Sequence, residues 1–537
     1  MKKIFIVAIS FLSLLKGYSQ NFNIQLQESP VFRMSTARVQ NDYILPDNKG
    51  GFVTISTKRS GFLANPLVTE SYATLYNSNL EQVKSAKFRM NKGAVKATIK
   101  GAFIRKDSLH LLEMESNLRK RYYAFKSLTG NINSDQQFTE KEFFRLDFIY
   151  PKTEVNLFVN LNSLYYEKLK YYSDVNFFTP KIYIKFSKNN RFFSIVNKTL
   201  DEQHTTYEIH VFNHRFEKVF DAQISESVPN KLFKINDIAI DDHNGKVYIT
   251  AAVLKTDPEK KKRIINTDNL EQFKIYEVSN KTVHTYPFKP GKVTEQIHIA
   301  LPGQATNEVY IYGFYRHKYL DLNDIDGIFR LNLSKNGLAL LDLNYADFSE
   351  KLVKTAYKKS HKKTKNHQMI IRKTYLFDNG DLLINAEDLY VPLLMKKRER
   401  EENVREIAGD IFSIKLSKNG QVYWNKKIFK EQLVKPRLAL HSYFSTLIDG
   451  NNYILFTDSP LEKQSKEDPF YLKKKDLQNL NGVKISPNGN AVAGLVKENK
   501  KSKFRFMPIE GIMIDKTHAI IPAKDHQYIK FFKLDFK

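Results

Sequence analysis

The feature that most constrains this chain is a turn that recurs between alternating strands. Residues 409–429 read GDIFSIKLSKNGQVYWNKKIF. Phe412, Ile414 and Leu416 alternate with Ser413 and Lys415; Ser417-Lys418-Asn419-Gly420 follows; then Val422, Trp424 and Ile428 are expected to share a face, interrupted by Lys426. Period-two alternation on both sides of a Gly-bearing turn predicts a β-hairpin with one buried face. The pattern returns without a gap at Ile328–Gly337, IFRLNLSKNG, and more loosely at Val483–Gly489, VKISPNG. Proline in the third copy selects the geometry. In a two-residue Asn-Gly turn, Pro487 would sit where an N–H must close the hairpin, and proline has none. In a type I turn it takes the second position, where its fixed φ fits, and Gly489 takes the left-handed bulge. The same turn is expected in all three copies.

Weaker relatives of this hairpin turn near Asn77, at Thr129-Gly130, near Asn213 and near Asn280; with Asn336, Asn419 and Asn488 they make seven anchors. Upstream of most lies another strand opening on a turn, such as NGKVYITAAVL and NGDLLINAE. Small antiparallel units that each bury a face on the next are stable as a closed ring, because closure removes the two end surfaces. The expected fold is therefore all-β, a β-propeller of about seven blades with eight within range, carrying long charged loop insertions. An open series of sandwiches is the alternative. Aromatic residues at 13%, with 39 Phe and 29 Tyr, suit strands. FNIQLQ near the N-terminus and QYIKFFKLDF at the C-terminus are expected to share one blade and clasp the ring. The insertions fall at 133–180, 256–270, 351–367, 391–408 and 460–479. The fourth is helix-forming in propensity, with Pro392 suited to a first turn. None resembles a Gly/Ser linker, so residues 20–537 are expected to form a single propeller domain.

Lys2 and Lys3 precede an apolar run, Ile4 to Leu15, that is too short to span a bilayer, and Gly17 and Ser19 supply small residues for cleavage. Residues 1–19 thus read as a signal peptide. There is no cysteine, which excludes lipid attachment through one, disulfides and thiolate metal sites. The expected location is the periplasm or the periplasmic face of the outer membrane, non-lipidated, with no transmembrane segment after cleavage. The net charge of +27 draws the protein to anionic surfaces. After export these are lipid headgroups, acidic polysaccharide or an acidic protein partner rather than nucleic acid. Lys358, Lys359, Lys362, Lys363 and Lys365 form the densest local field and are the candidate anionic-surface site, with affinity falling as salt rises.

Motifs that carry chemistry are missing. There is no nucleophile elbow, H-E-x-x-H, P-loop or G-x-G-x-x-G. Asp321 to Gly327, DLNDIDG, is out of register for a calcium loop and reads as a turn entering a strand. His361 and His367 bracket lysines that would repel a cation. No catalytic, cofactor-binding or metal-binding residue is assigned, and no cofactor is expected.

The pattern from Gly409 to Ile428, followed by Lys430-Glu431-Gln432, by SYF at Ser442–Phe444 and by YILFTD ending at Asp458, resembles a family of exported, propeller-like proteins of Bacteroidota. The likeness is good over residues 370–537 and extends to the N-terminal half only in layout. Its motifs are structural, so it implies an extracytoplasmic propeller and no active site. In those organisms Asp-Ser-hydrophobic tripeptides receive O-linked sugars, and Asp107-Ser108-Leu109 fits, which makes Ser108 the candidate acceptor. Two functions follow as expectations. One is a non-catalytic binding, scaffold or gating subunit of an outer-membrane protein complex, such as a type IX secretion translocon. The other is a carbohydrate-active enzyme or glycan binder using the central funnel, which demands clustered carboxylates and aromatic platforms along the axis.

Overall fold

Alternation of apolar and polar residues, cut by Gly- and Asn-bearing turns, resolves into eight antiparallel sheets. The computed structural model describes residues 24–34, 39–60, 67–88, 96–117, 120–134, 138–147, 182–199, 204–255, 270–280, 282–294, 296–303, 306–317, 325–348, 364–392, 406–430, 432–434, 442–458, 479–499 and 503–537. In chain order the sheets are blade I (39–88), II (96–147), III (182–226), IV (233–288), V (293–347), VI (364–434), VII (443–497) and VIII (505–536 with 24–33). Strands a to d of each blade follow one another as a meander. The a strands of blades I and II, III and IV, and IV and V approach one another, which places them at the axis. The d strands carry alternating exposed residues, which places them at the rim.

Eight hydrophobic clusters hold the blades together, and each is shared by two neighbours. Phe412, Ile414 and Leu416 pack on blade V with Tyr310, Tyr312 and Ile328. Ile411 and Ile428 of the same blade pack on blade VII with Ile454 and Ile485. Equivalent clusters join I to II, II to III, III to IV and IV to V. The last two join VII to VIII and VIII to I. An open row of eight sheets would have seven such interfaces; eight interfaces make a ring. The chain is an eight-bladed β-propeller. The expectation of about seven blades, with eight within range, resolves to the larger number for a topological reason. Each of the seven anchors marks the c–d turn of one of blades I to VII. Blade VIII has no c–d turn, because its d strand comes from the other end of the chain.

That strand, Ile24–Glu28, pairs antiparallel with Tyr528–Phe536, with Ile24 opposite Phe536 and Glu28 opposite Phe532. Ser29 exchanges backbone and side-chain bonds with Phe531. Glu28 accepts from Lys497 of blade VII at 2.5 Å and from Lys530. Burial alone would raise its carboxyl pKa; the two ammonium groups outweigh that and hold it below its ordinary value.

The recurrent turn has the expected geometry in two of the three copies. Gly420 N–H donates to Ser417 and Ser417 N–H to Gln421, with Gly420 at φ 79°; Ser486, Gly489 and Asn490 repeat this at φ 88°. The copy at Ser334 differs. Ser334 N–H donates to Ala339, one residue further, and both Gly337 (φ 81°) and Leu338 (φ 57°) are left-handed. The extra residue puts the Leu338 side chain into the cluster between blades IV and V. The turn expected at Thr129-Gly130 lies just beyond, at Asn131–Ser134. Val422 does not share a face with Trp424 and Ile428. A bulge at Tyr423 turns it toward blade V while they face blade VII. Pro392 ends strand b of blade VI rather than opening a helix, and residues 406–408 already belong to strand c; residues 393–405 lie outside the described residues.

Each of the three turns is gripped by the preceding blade. Glu277 of blade IV accepts from Gly337 N–H at 2.9 Å, and Tyr248 donates to the Lys335 carbonyl. The Arg330 guanidinium of blade V, 1% exposed, donates to the carbonyls of Gly380 (2.8 Å) and Ser417 (2.9 Å) and lies 3.8 Å over the Tyr310 ring. Trp424 of blade VI donates to the Pro487 carbonyl at 3.0 Å. Glu277, Asn332 and Lys415 occupy one position, two residues before the first serine of their own turn, and each reaches the turn of the next blade.

Gly420 tests this join. A Cβ there would stand 3.1 Å from Asn344 Cβ and 3.2 Å from Arg330 Cβ, on a backbone that L-residues avoid. Gly420→Ala is expected to destabilise the protein by about 1–3 kcal/mol, read as a lower urea midpoint with unchanged slope.

Candidate functional site

The a–b turns of the eight blades and the c–d turns of blades I to VII lie on one face of the ring, and the strand ends that lead into the b–c and d–a connections on the other. The inter-blade grips above tie turns of one face to each other, which fixes this polarity. All five long insertions join strand ends on the loop face, except for the few residues of 133–138 in the blade II c–d turn. The site candidates are therefore that face and the channel it opens on.

The channel wall is built by the a strands, and it has a recurring irregularity. Strand a is bulged five residues before its turn in blades I, II, IV and VI, leaving Asp42, Lys100, Asn236 and Arg372 unmatched in the ladder. Blade V breaks at the same level around Gln296, and blade VIII inserts a short 3-10 turn, Pro508–Glu510. Every unmatched residue is polar. A bulge re-aims a side chain that regular pleating would send between the sheets.

Three charged centres stand on or beside this level. At the first, Asp237 accepts from Ile238 N–H (2.8 Å) and Ile299 N–H (3.1 Å), with Lys185 at 3.7 Å and His298 at 3.8 Å. Burial works to raise its pKa, but these partners hold it below the ordinary carboxylate value. The second is Glu387, fully buried between blades VI and VII. It accepts from Lys430 Nζ (2.6 Å), Arg372 (2.9 and 3.0 Å) and Ser442 Oγ (2.8 Å). Lys430, also fully buried, spends its other protons on the Ala408 carbonyl and Gln432 Oε1, both at 3.1 Å, while Gln432 donates to Thr457. Lys430 and Gln432 thus form a structural latch on Glu387, each bonded to partners within the fold. Its partner Glu387 had no signal in the sequence. The third is Glu510, whose Oε2 meets no partner. Burial, then the nearby charge of Asp42, push its pKa up to about 8 against the opposing pull of Lys524.

The sequence-derived candidates fare as follows. Lys358, Lys359, Lys362 and Lys363 lie outside the described residues; Lys365 is on strand a of blade VI, paired with Val391, with its side chain outside the description. Ser108 begins strand b of blade II, half-buried on the turn face, just after the two-residue turn Lys106-Asp107; Asp107 meets Lys49 at 2.9 Å. Asp326, from the segment compared with a calcium loop, accepts from His317 N–H as the chain enters the strand at Gly327. Among the described residues no group of three or more His, Asp or Glu could hold a metal, and no helix is long and apolar enough to cross a membrane. A cavity of ≈ 30 Å³ between blades V and VI, lined by Gln296, His298 and Arg316 among others, and one of ≈ 10 Å³ between blades I and II are each about the size of a water.

No protein-family model matches the chain, and no curated protein matches it in sequence. Solved structures align with it at low similarity. The β-propeller domain of the Trilobed protease from Pyrococcus furiosus is 9% identical over 88% of this chain and 98% of its own, with a TM-score of 0.33. An oligogalacturonate lyase in complex with manganese is 9% identical over 95% and 98%, at 0.34. The Synechocystis apocarotenoid oxygenase is 9% identical over 90% and 95%, also at 0.34. Nothing about activity transfers at these values.

Two outcomes are expected of the buried centres. Lys430→Met leaves Glu387 short of a counter-charge and should cost about 3–5 kcal/mol, read by chemical denaturation. For Glu510 the folded pKa lies above the unfolded one, so between about 4.5 and about 8 the folded state holds a proton that the unfolded state has released. Stability must fall as pH rises through that window, by on the order of a few kcal/mol at most. Glu510→Gln should remove the slope and leave the variant more stable than the parent at pH 8; thermal melts at pH 5 and pH 8 check the sign.

Proposed function

We propose that this propeller is a non-catalytic, exported binding or scaffold subunit whose loop face docks an anionic partner at the cell envelope. One observation carries the reading. The long insertions join strand ends on a single face, and the most basic of them, residues 351–367, holds seven lysines and no acidic residue. The opposite face is closed by tight turns that the blades themselves hold. A ring armed on one side is suited to bind across that side, and lysine fields steer and hold anionic partners. An outer-membrane protein assembly, such as a secretion translocon, is the kind of partner in view. The carbohydrate-active alternative draws less support. Among the described residues the innermost strands present no exposed carboxylate, and Glu387 and Asp237 are occupied by internal partners.

Replacing Lys358, Lys359, Lys362, Lys363 and Lys365 together by Gln should abolish co-sedimentation with isolated envelope at low salt while leaving the melting temperature unchanged. In the parent the same binding should fall steeply between 50 and about 300 mM salt. Retention of envelope binding by the variant would sink the proposal.

A further inference from the structure

Exposure along the innermost strands follows one sign of charge. Of the described residues on the a strands, those exposed to solvent are Thr98, Lys100, Arg105, Lys185, Lys234, Arg372, Lys373 and Arg505. All but one are lysine or arginine, and none is acidic. They come from blades II, III, IV, VI and VIII, so they surround the axis rather than mark one sector. They also spread along it. Lys234 stands seven residues before the turn at Asp241, Lys373 four before Phe377 and Lys185 two before Ser187. At the rise of an extended strand that is a column of roughly 17 Å.

The acids nearby meet two members of this column, Glu387 bonding Arg372 and Asp237 lying 3.7 Å from Lys185, and leave the column with an excess of positive charge. Asp237 is engaged by two backbone N–H groups, with Lys185 and His298 beside it, and Glu510 holds its proton at neutral pH. Lys373 reports the environment. It is open to water, yet burial first, and the charge of Lys188 from blade III second, pull its pKa below that of an ordinary lysine. Blades III and VI are not neighbours. Lys373 lies on strand a of blade VI and Lys188 in the turn that follows strand a of blade III, and this place on and beside the innermost strands sets both at the axial channel.

We infer that the axial channel is a binding site for an extended acidic polypeptide segment, Asp- or Glu-rich, threaded along the cation column. Length selects a chain over a single small oxyanion. The lack of exposed aromatic side chains on the described a strands selects peptide over sugar or nucleic acid, which recruit stacking platforms. Lysine, a flexible point charge, suits carboxylates spaced along a strand. This site is independent of the loop face and stands or falls without it.

The test uses the full chain and an octamer of L-glutamate, with octaglutamine as the neutral control, followed by calorimetry or fluorescence anisotropy. The parent should bind the glutamate octamer, not the glutamine one, and the affinity should fall with salt. Lys188→Gln with Lys373→Gln should weaken binding by about tenfold, without lowering the melting temperature, because the change relieves a repulsion. Lys141→Gln, on an outer strand, should leave binding unchanged. Three results overturn the proposal: no binding at millimolar peptide; equal loss in Lys141→Gln and in the channel variant, which means surface charge only; or tighter, channel-dependent binding of a sulfated or uronic oligosaccharide than of the glutamate octamer.

Discussion

The burial of both faces of every sheet against its neighbours is the constraint on which the rest of this molecule depends. A four-stranded sheet with two apolar faces cannot stand alone in water, since each face removes its free energy of exposure only by meeting another. In blade VI one strand divides its side chains between the two sides, Phe412, Ile414 and Leu416 toward blade V and Ile411 toward blade VII. The same division in every blade leaves no terminal sheet. Ring closure and the pairing of the chain ends are consequences of that arithmetic of faces.

The turn face adds direction to this packing. Apolar clusters are tolerant of sliding, whereas Arg330 meeting the carbonyls of Gly380 and Ser417, or Glu277 meeting Gly337 N–H, fixes height and angle. Buried polar groups of this kind are stable only when matched, and matching requires the next blade in place. The turns are thus sockets as well as chain reversals. Where such a turn ends on a left-handed residue, it is glycine where a neighbour's side chain crowds it, as Arg330 does at Gly420, or apolar where the turn plugs an interface, as with Leu80, Phe216 and Leu338.

The same polarity frees the other half of the molecule. With one face locked by short turns, length, charge and sequence variety collect on the opposite rim, and the innermost strands are bulged at one level, each time at a polar residue. Glu387 and Lys430 show how charge is handled between blades: it is matched internally and withdrawn from solvent, with Arg372 reaching Glu387 from the exposed innermost strand. The lysines of the channel are handled otherwise and remain in water.

The period-two alternation and the Asn-Gly turns belong to short stretches of chain, so strand class, hairpin geometry at Ser417 and Ser486, and the clasp of the two ends were readable from residues alone. The number of blades was not, because the closing blade lacks the hairpin that marks the other seven. Nor was the turn at Ser334, where the same four letters, SKNG, adopt a longer loop once a neighbouring blade offers Leu338 a pocket. The functional candidates divide in the same way. A run of lysines is visible in a sequence because its members are adjacent. Lys185, Lys234 and Lys373 share the innermost layer only when eight sheets close around an axis, and Glu387 becomes a buried anion only when Lys430, forty-three positions away, folds against it. Local pattern determined what each segment is; the meeting of distant segments, driven by the burial of faces that no single blade can cover, decided what any of them can touch.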